Sequence, residues 1–201
     1  MSSSIVRRIT QTIHSKGHGW VFTAKDFLHI GSRAAVDKTL SRLNAQGYIR
    51  KLARGIYDFP KNHPTLGRLS PAPDKVARAV AAQTGNTVMP SSAQAANLLG
   101  LSMQVQAKPM YVTNGRSRKK KVGNYIISLR HDSLGGDQSI SPKINLVIQA
   151  LFFLGADNID DNAINRCSHY LSAGDKKNLK KVVSKVPGWM VPAIHQVADW
   201  R

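Results

Sequence analysis

The segment from Ser32 to Pro60 restricts the fold more than any other stretch. Val36, Leu40 and Leu43 stand at i, i+4 and i+7, a spacing that lines up on one side of a helix. Ser32 is placed to cap that helix and Gly47 to stop it. Tyr48 to Ala53 and Ile56 to Phe59 then read as two strands about a tight Arg54-Gly55 tip. Pro60, lacking a backbone donor, ends their pairing. Upstream, Ile5, Ile9 and Ile13 recur every four residues, which predicts a helix from Ser4 to about Lys16, ended by Gly17 and Gly19. Trp20-Val21-Phe22 reads as a brief strand, Thr23 as the cap of a short helix through Leu28, and His29-Ile30-Gly31 as a turn.

Helix, strand, helix, turn, helix and hairpin is the element order of a winged helix-turn-helix domain. Residues 60–74 hold Pro60, Pro64, Pro71 and Pro73 and read as a linker or boundary, dividing the chain into 1–69 and 70–201. The second part predicts helices at Asp74–Gln83 and from Ser91 or Ser92 to Leu99. Strands follow at Met110–Thr113 and Asn124–Arg130, then a loop at Gly135-Gly136. Ser141-Pro142 caps a helix whose apolar face is Ile144, Val147, Ile148, Leu151 and Phe152. Further helices are expected at Asp160–Leu171, Ala173–Lys185 and Gly188–Trp200. The expected class is α+β: an N-terminal winged helix-turn-helix domain plus a helix-rich C-terminal domain with a small antiparallel sheet.

Charge narrows the function. Among 201 residues, 29 Lys and Arg face 11 acids, a net +18, and every acid is Asp. The absence of Glu excludes zincin-type sites and EF-hands. The charge splits evenly at the expected boundary. Residues 1–69 carry 12 basic and 3 acidic residues and residues 70–201 carry 17 and 8, so each part is +9. Such a surface fits a polyanionic partner, most often nucleic acid. A single cysteine, Cys167, forms no internal disulfide and no Cys-rich zinc site. Seven scattered histidines show no metal-ligand spacing with a carboxylate partner, and no phosphate loop, nucleophile elbow or carboxylate pair stands out. The expectation is therefore a protein without enzymatic activity, cofactor or metal. The first residues carry no apolar signal core, and the run Ile144–Leu154 is too short to span a bilayer, so a cytoplasmic, non-membrane protein is expected.

The expected partner is double-stranded DNA. Opposite the Val36-Leu40-Leu43 stripe lie Ala34, Lys38, Ser41 and Ala45, flanked by Asp37 and Arg42. Small residues permit close approach to a major groove and long donors reach purine acceptors, so Ser32, Arg33, Ala34, Asp37, Lys38, Ser41 and Arg42 are candidate contacts. Arg54 at the wing tip would reach a minor groove or a phosphate. Arg116, Arg118, Lys119, Lys120 and Lys121 read as a phosphate-tracking patch on a hairpin loop, or else as a solvated turn. The series Lys176, Lys177, Lys180, Lys181 and Lys185 reads as a wet helix face.

The hairpin Tyr48-Ile-Arg-Lys-Leu-Ala-Arg-Gly-Ile-Tyr-Asp-Phe-Pro60, after a helix-turn-helix, resembles the AbiEi-type antitoxins of bacterial type IV toxin–antitoxin systems. Pro109–Arg118 and Ile127–His131 look like the strand-turn-strand of a related branch. The resemblance covers the winged domain well and residues 75–135 loosely. It implies repression of the protein's own operon through an inverted-repeat operator. It also implies antagonism of a nucleotidyltransferase-like toxin, with or without a stable complex. The alternative is a stand-alone winged-helix regulator from a mobile element, with no toxin.

Overall fold

The helix Ser2–Lys16 (α1) buries Ile9 and Ile13 fully, as their four-residue spacing requires. The computed structural model describes residues 2–104, 108–132, 137 and 139–200; the expected Gly135-Gly136 loop lies outside them. The protein is a mixed α+β molecule. Its contacts gather into two compact units, residues 1–86 with 119–127, and residues 87–118 with 128–201.

In the first unit, Val21–Thr23 is strand β1 and Ala24–Phe27 a 3-10 turn. Asp26 Oδ2 accepts from the Thr23 amide at 2.8 Å and from its hydroxyl at 3.0 Å, which fixes the start of that turn. Helix α2 spans Arg33–Ala45 and buries Val36, Leu40 and Leu43. Strands β2 (Arg50–Ala53) and β3 (Ile56–Asp58) close a three-stranded antiparallel sheet of order β1-β3-β2, with Asp58 between Val21 and Arg50. One core unites these pieces, from Ile9 and Ile13 through Phe22, Phe27 and Leu40 to Ile49 and Phe59. Each such fully buried side chain contributes about 1.5–3 kcal/mol.

The contact units do not follow the expected segments 1–69 and 70–201. Residues 60–72 carry a small hairpin, β4 (Asn62–His63) with β5 (Gly67–Arg68), and are tied down on both sides. The Leu69 amide donates to the Lys61 carbonyl at 2.8 Å, and Arg50 donates to the Leu69 carbonyl at 2.8 Å. Helix α3 (Pro73–Ala82) packs on β1, burying Val76, Ala77 and Val80, and so belongs with the first unit.

In the second unit, β6 (Val88–Pro90) pairs antiparallel with β7 (Met110–Thr113). Strand β8 (Arg118–Val122), counted with the first unit from Lys119 on, and strand β9 (Tyr125–His131) follow, in the sheet order β6-β7-β9-β8. The expected small antiparallel sheet is corrected on one count, because β7 and β9 run parallel, from Met110 opposite Ser128 to Thr113 opposite His131. Parallel neighbours need a crossover, and here β8 supplies it by passing to the outer side of β9. Strand β9 begins in the first unit and ends in the second.

Helices α4 (Ser92–Leu98) and α5 (Pro142–Leu154) form the centre of the second unit, joined by α6 (Asp161–Tyr170), α7 (Ala173–Lys180) and α8 (Val191–Asp199). α5 buries every residue from Ile144 to Leu151, because α4, β6 and α7 cover it on several sides. Phe152, expected in that apolar face, is exposed and lies 6.2 Å from Trp189, ring to ring. α7 stops at Lys180, and Val183–Lys185 forms a separate 3-10 turn. Among the described residues, no helix is long and apolar enough to cross a membrane.

Candidate nucleic-acid interface

The outer face of α2 is a continuous polar surface. Ser32, Arg33, Ala34, Asp37, Lys38, Ser41 and Arg42 are all exposed, while Val36, Thr39, Leu40 and Leu43 are buried. Helical periodicity alone produces this division. Thr39 turns its hydroxyl back to the Ala35 carbonyl at 2.8 Å, which removes a polar group from the core side. Ser32 accepts from the Ala35 amide at 3.4 Å and so serves as the N-cap.

Arg33 and Asp37 form an exposed i, i+4 ion pair, Nε to Oδ2 at 2.8 Å. Such a pair adds little stability, but it occupies the guanidinium and limits where Arg33 points. Lys38, Ser41 and Arg42 lie along the rest of the same exposed face. Beneath it, the half-buried Tyr57 of β3 stacks on Phe22 at 6.2 Å. Burial raises the Tyr57 pKa above its ordinary value, and the Asp37 carboxylate adds to the rise. Its phenol therefore stays protonated as a hydrogen-bond donor.

Arg54 is exposed at the turn between β2 and β3. Gly55 takes φ +71°, a left-handed value that favours glycine, and a Cβ there would stand 3.0 Å from Gln83 Nε2. Gln83, the C-cap of α3, donates to the Arg54 carbonyl at 2.9 Å. Its other amide atom, Oε1, accepts from Lys120. Sequence reading missed Gln83, because a polar residue at a helix end carries no periodic signal and its partners lie 29 and 37 residues away.

The basic run is not a loop. Arg118 to Lys121 belong to β8, and Arg116 lies exposed in the connection before it. Alternation along the strand leaves Lys119 and Lys121 exposed, Arg118 and Lys120 half-buried and Val122 buried. Lys119, Lys120 and Lys121 fall in the first unit, with α2 and Arg54; Arg116 and Arg118 fall in the second. The Gly123 amide after β8 donates to the Leu52 carbonyl of β2 at 3.1 Å.

This partition redistributes charge. The first unit holds 17 Lys and Arg less 4 Asp, a net +13; the second holds 12 less 7, a net +5. Among the described residues no group of three or more His, Cys or Asp could hold a metal ion.

Residues 8–179 match the model of DUF6088, a family of unknown function. The chain belongs to that family. The DUF6088 match runs through both units, so the α2 face, the Arg54 turn and β8 all lie within it. No curated protein matches the chain, and no solved structure does.

Proposed function

We propose that this protein binds double-stranded DNA, with α2 entering the major groove and the β2–β3 turn contacting the flanking backbone or minor groove. The observation that carries the reading is the α2 face itself: seven exposed polar or small residues in a unit of net charge +13. Small Ala34 and Ser41 admit the helix to a groove, Lys38 and Arg42 supply donors to base edges or phosphates, and Arg54 anchors the turn. The sheet order β1-β3-β2 behind α1, the 3-10 turn and α2 supports a winged helix-turn-helix domain.

The biological role follows from the likeness of residues 48–60 to the AbiEi-type antitoxins. On that reading the protein is a cytoplasmic regulator that represses its own operon at an inverted repeat and counteracts a nucleotidyltransferase-like toxin. It has no catalytic activity and needs no cofactor. A nucleotidyltransferase gene beside its own would favour this role over that of a stand-alone regulator. The DNA-binding test is footprinting on the protein's own upstream region with the wild-type chain and Lys38→Ala. Protected repeats are expected, and Lys38→Ala should lose about 1–3 kcal/mol there and much less on mixed-sequence DNA. No protection by the wild type would refute the proposal, and equal losses on both DNAs would show that Lys38 reads no base.

A further inference from the structure

The Arg33–Asp37 pair is set the wrong way round for the stability of α2. Arg33 is the first residue of the helix, and no acid stands in its first turn. A helix N-terminus carries partial positive charge, so it favours an acid there, with the basic partner four residues later. Here the base comes first and the acid follows, and the two side chains are 59% and 51% exposed. Helix stability gives no reason for that order.

The geometry of the pair does. Arg33 Nε donates to Asp37 Oδ2 at 2.8 Å, and among the described residues this is the hydrogen bond that Arg33 makes. It fixes the plane of the guanidinium and leaves both terminal amino groups, Nη1 and Nη2, to an acceptor from outside. Two parallel donors on a planar fork match a ligand edge that offers two acceptors, as a phosphate and the major-groove edge of guanine both do. Asp37 decides between them. Its carboxylate offsets the Arg33 charge on the spot and repels a phosphate, whereas the O6 and N7 edge of guanine carries no net charge. The first residues of a groove-bound helix are those that meet base edges, and the exposed small side chain of Ala34 beside Arg33 permits the approach.

We propose that Arg33 reads one guanine in the major groove, Nη1 and Nη2 donating to its O6 and N7, and that Asp37 is the positioning residue that aims the fork. This rests on the DNA-binding reading above and gives it a specificity determinant that Lys38 and Arg42, without such a brace, do not supply.

The test uses the full chain and a pool of duplexes randomised over about two helical turns. The wild type should select sites with a fixed guanine, preferred roughly 5- to 150-fold over other bases at that position. Arg33→Ala should lose that preference and keep those at other positions. Replacing the selected guanine by 7-deazaguanine, which lacks the N7 acceptor, should weaken the wild type and leave Arg33→Ala unaffected. Asp37→Asn should cut the guanine preference about fivefold, the cost of ordering one freed side chain. The same variant should bind mixed-sequence DNA more tightly, by about two- to fivefold, because a repelling charge is gone. On an Arg33→Ala background Asp37→Asn should change the guanine preference no further. A guanine preference that survives Arg33→Ala overturns the assignment, as does an Arg33→Ala loss equal on all sequences, which marks a phosphate contact. If Asp37→Asn keeps the full preference, or loses affinity on mixed-sequence DNA as well, the positioning role is overturned. A wild-type chain that binds no duplex overturns the DNA-binding reading and this inference with it. Wild-type binding that selects no guanine overturns this inference alone.

Discussion

Replacing Arg50 with methionine removes the charged fork that closes the first unit's sheet while keeping its aliphatic bulk. Arg50 faces Asp58 across β2 and β3, with Nε to Oδ1 at 3.0 Å and Nη2 to Oδ2 at 2.6 Å. Nη2 also reaches the Leu69 carbonyl at 2.8 Å, so the same group holds the segment after β5. The hydrogen bond to Asp58 raises the Arg50 pKa against its desolvation, and the guanidinium stays charged. Asp58 is only 1% exposed, so Arg50→Met strands a carboxylate where water scarcely reaches. Breaking a buried pair from one side costs about 3–5 kcal/mol. The Arg50 side chain is 25% exposed and water can enter its place, so the lower end, about 3 kcal/mol, applies. At 1.4 kcal/mol per decade, opening of the sheet should rise roughly 100-fold. Amide hydrogen exchange reads this unit by unit: residues 56–58 should lose protection, while residues 144–151 of the other unit serve as the internal reference. Arg50→Met/Asp58→Leu, with no stranded charge, should return to within about fivefold of wild type. A single variant exchanging within threefold of wild type would refute the reasoning. So would a double variant that opens as readily as the single, since lost packing rather than the unpaired carboxylate would then be the cause.

Periodicity made the first sixty residues legible. Val36, Leu40 and Leu43 are at most 4% exposed, so Lys38 and Ser41 had to face outward. Gly47, Gly55 and the caps Ser32, Ser91 and Ser141 marked boundaries through backbone chemistry that neighbours do not alter. β8 was illegible because its only deeply buried residue, Val122, stands at one end of a cationic run, leaving no alternation of apolar residues. Its strand state comes from pairing with β9, a tertiary cause. The parallel β7–β9 pairing was hidden for a related reason. Strands close in sequence suggest a hairpin, and nothing local announces that β8 passes outside.

Prolines 60, 64, 71 and 73 suggested a break, yet proline reports only the conformation of its own backbone. Arg50 and α3 bind that stretch to the first unit through contacts with Leu69 and β1. The shift matters for the candidate site. An even charge split of +9 and +9 becomes +13 and +5 once residues 70–86 and 119–127 are counted where they pack. The α2 face and Arg54 could be named from the sequence; the bridge from the Arg54 turn through Gln83 to Lys120 could not, because side-chain bridges between distant segments leave no trace in spacing.

Two further measurements address the second unit. Cys167 is fully buried, and burial pushes its thiol from 9.0 up to about 12, so alkylation at pH 8 should run about a thousandfold slower in the folded chain than in denaturant. Modification at the denatured rate under native conditions would contradict that packing. The lysine series gives the last prediction. Lys185 Nζ lies 2.6 Å from Asp137 Oδ2, and Lys180 pairs with Asp199 at the same distance. The Lys185 bond is the main cause holding the Asp137 carboxyl at about 2 rather than 3.8, with Ser139 adding to it. A depressed carboxylate favours the folded state above pH 3.8, and that contribution fades as pH falls toward about 2. Carboxyl-carbon NMR should therefore place the Asp137 midpoint near 2, and Lys185→Ala should move it up toward 3.8, short of it by the Ser139 share. A wild-type midpoint at 3.8, or a variant still at 2, would break the argument. If it stands, at least two of the five lysines in this series are already neutralised by aspartates of their own unit. The larger share of the net charge then lies in the first unit, with 17 cations against 4 anions, while the second keeps 12 against 7.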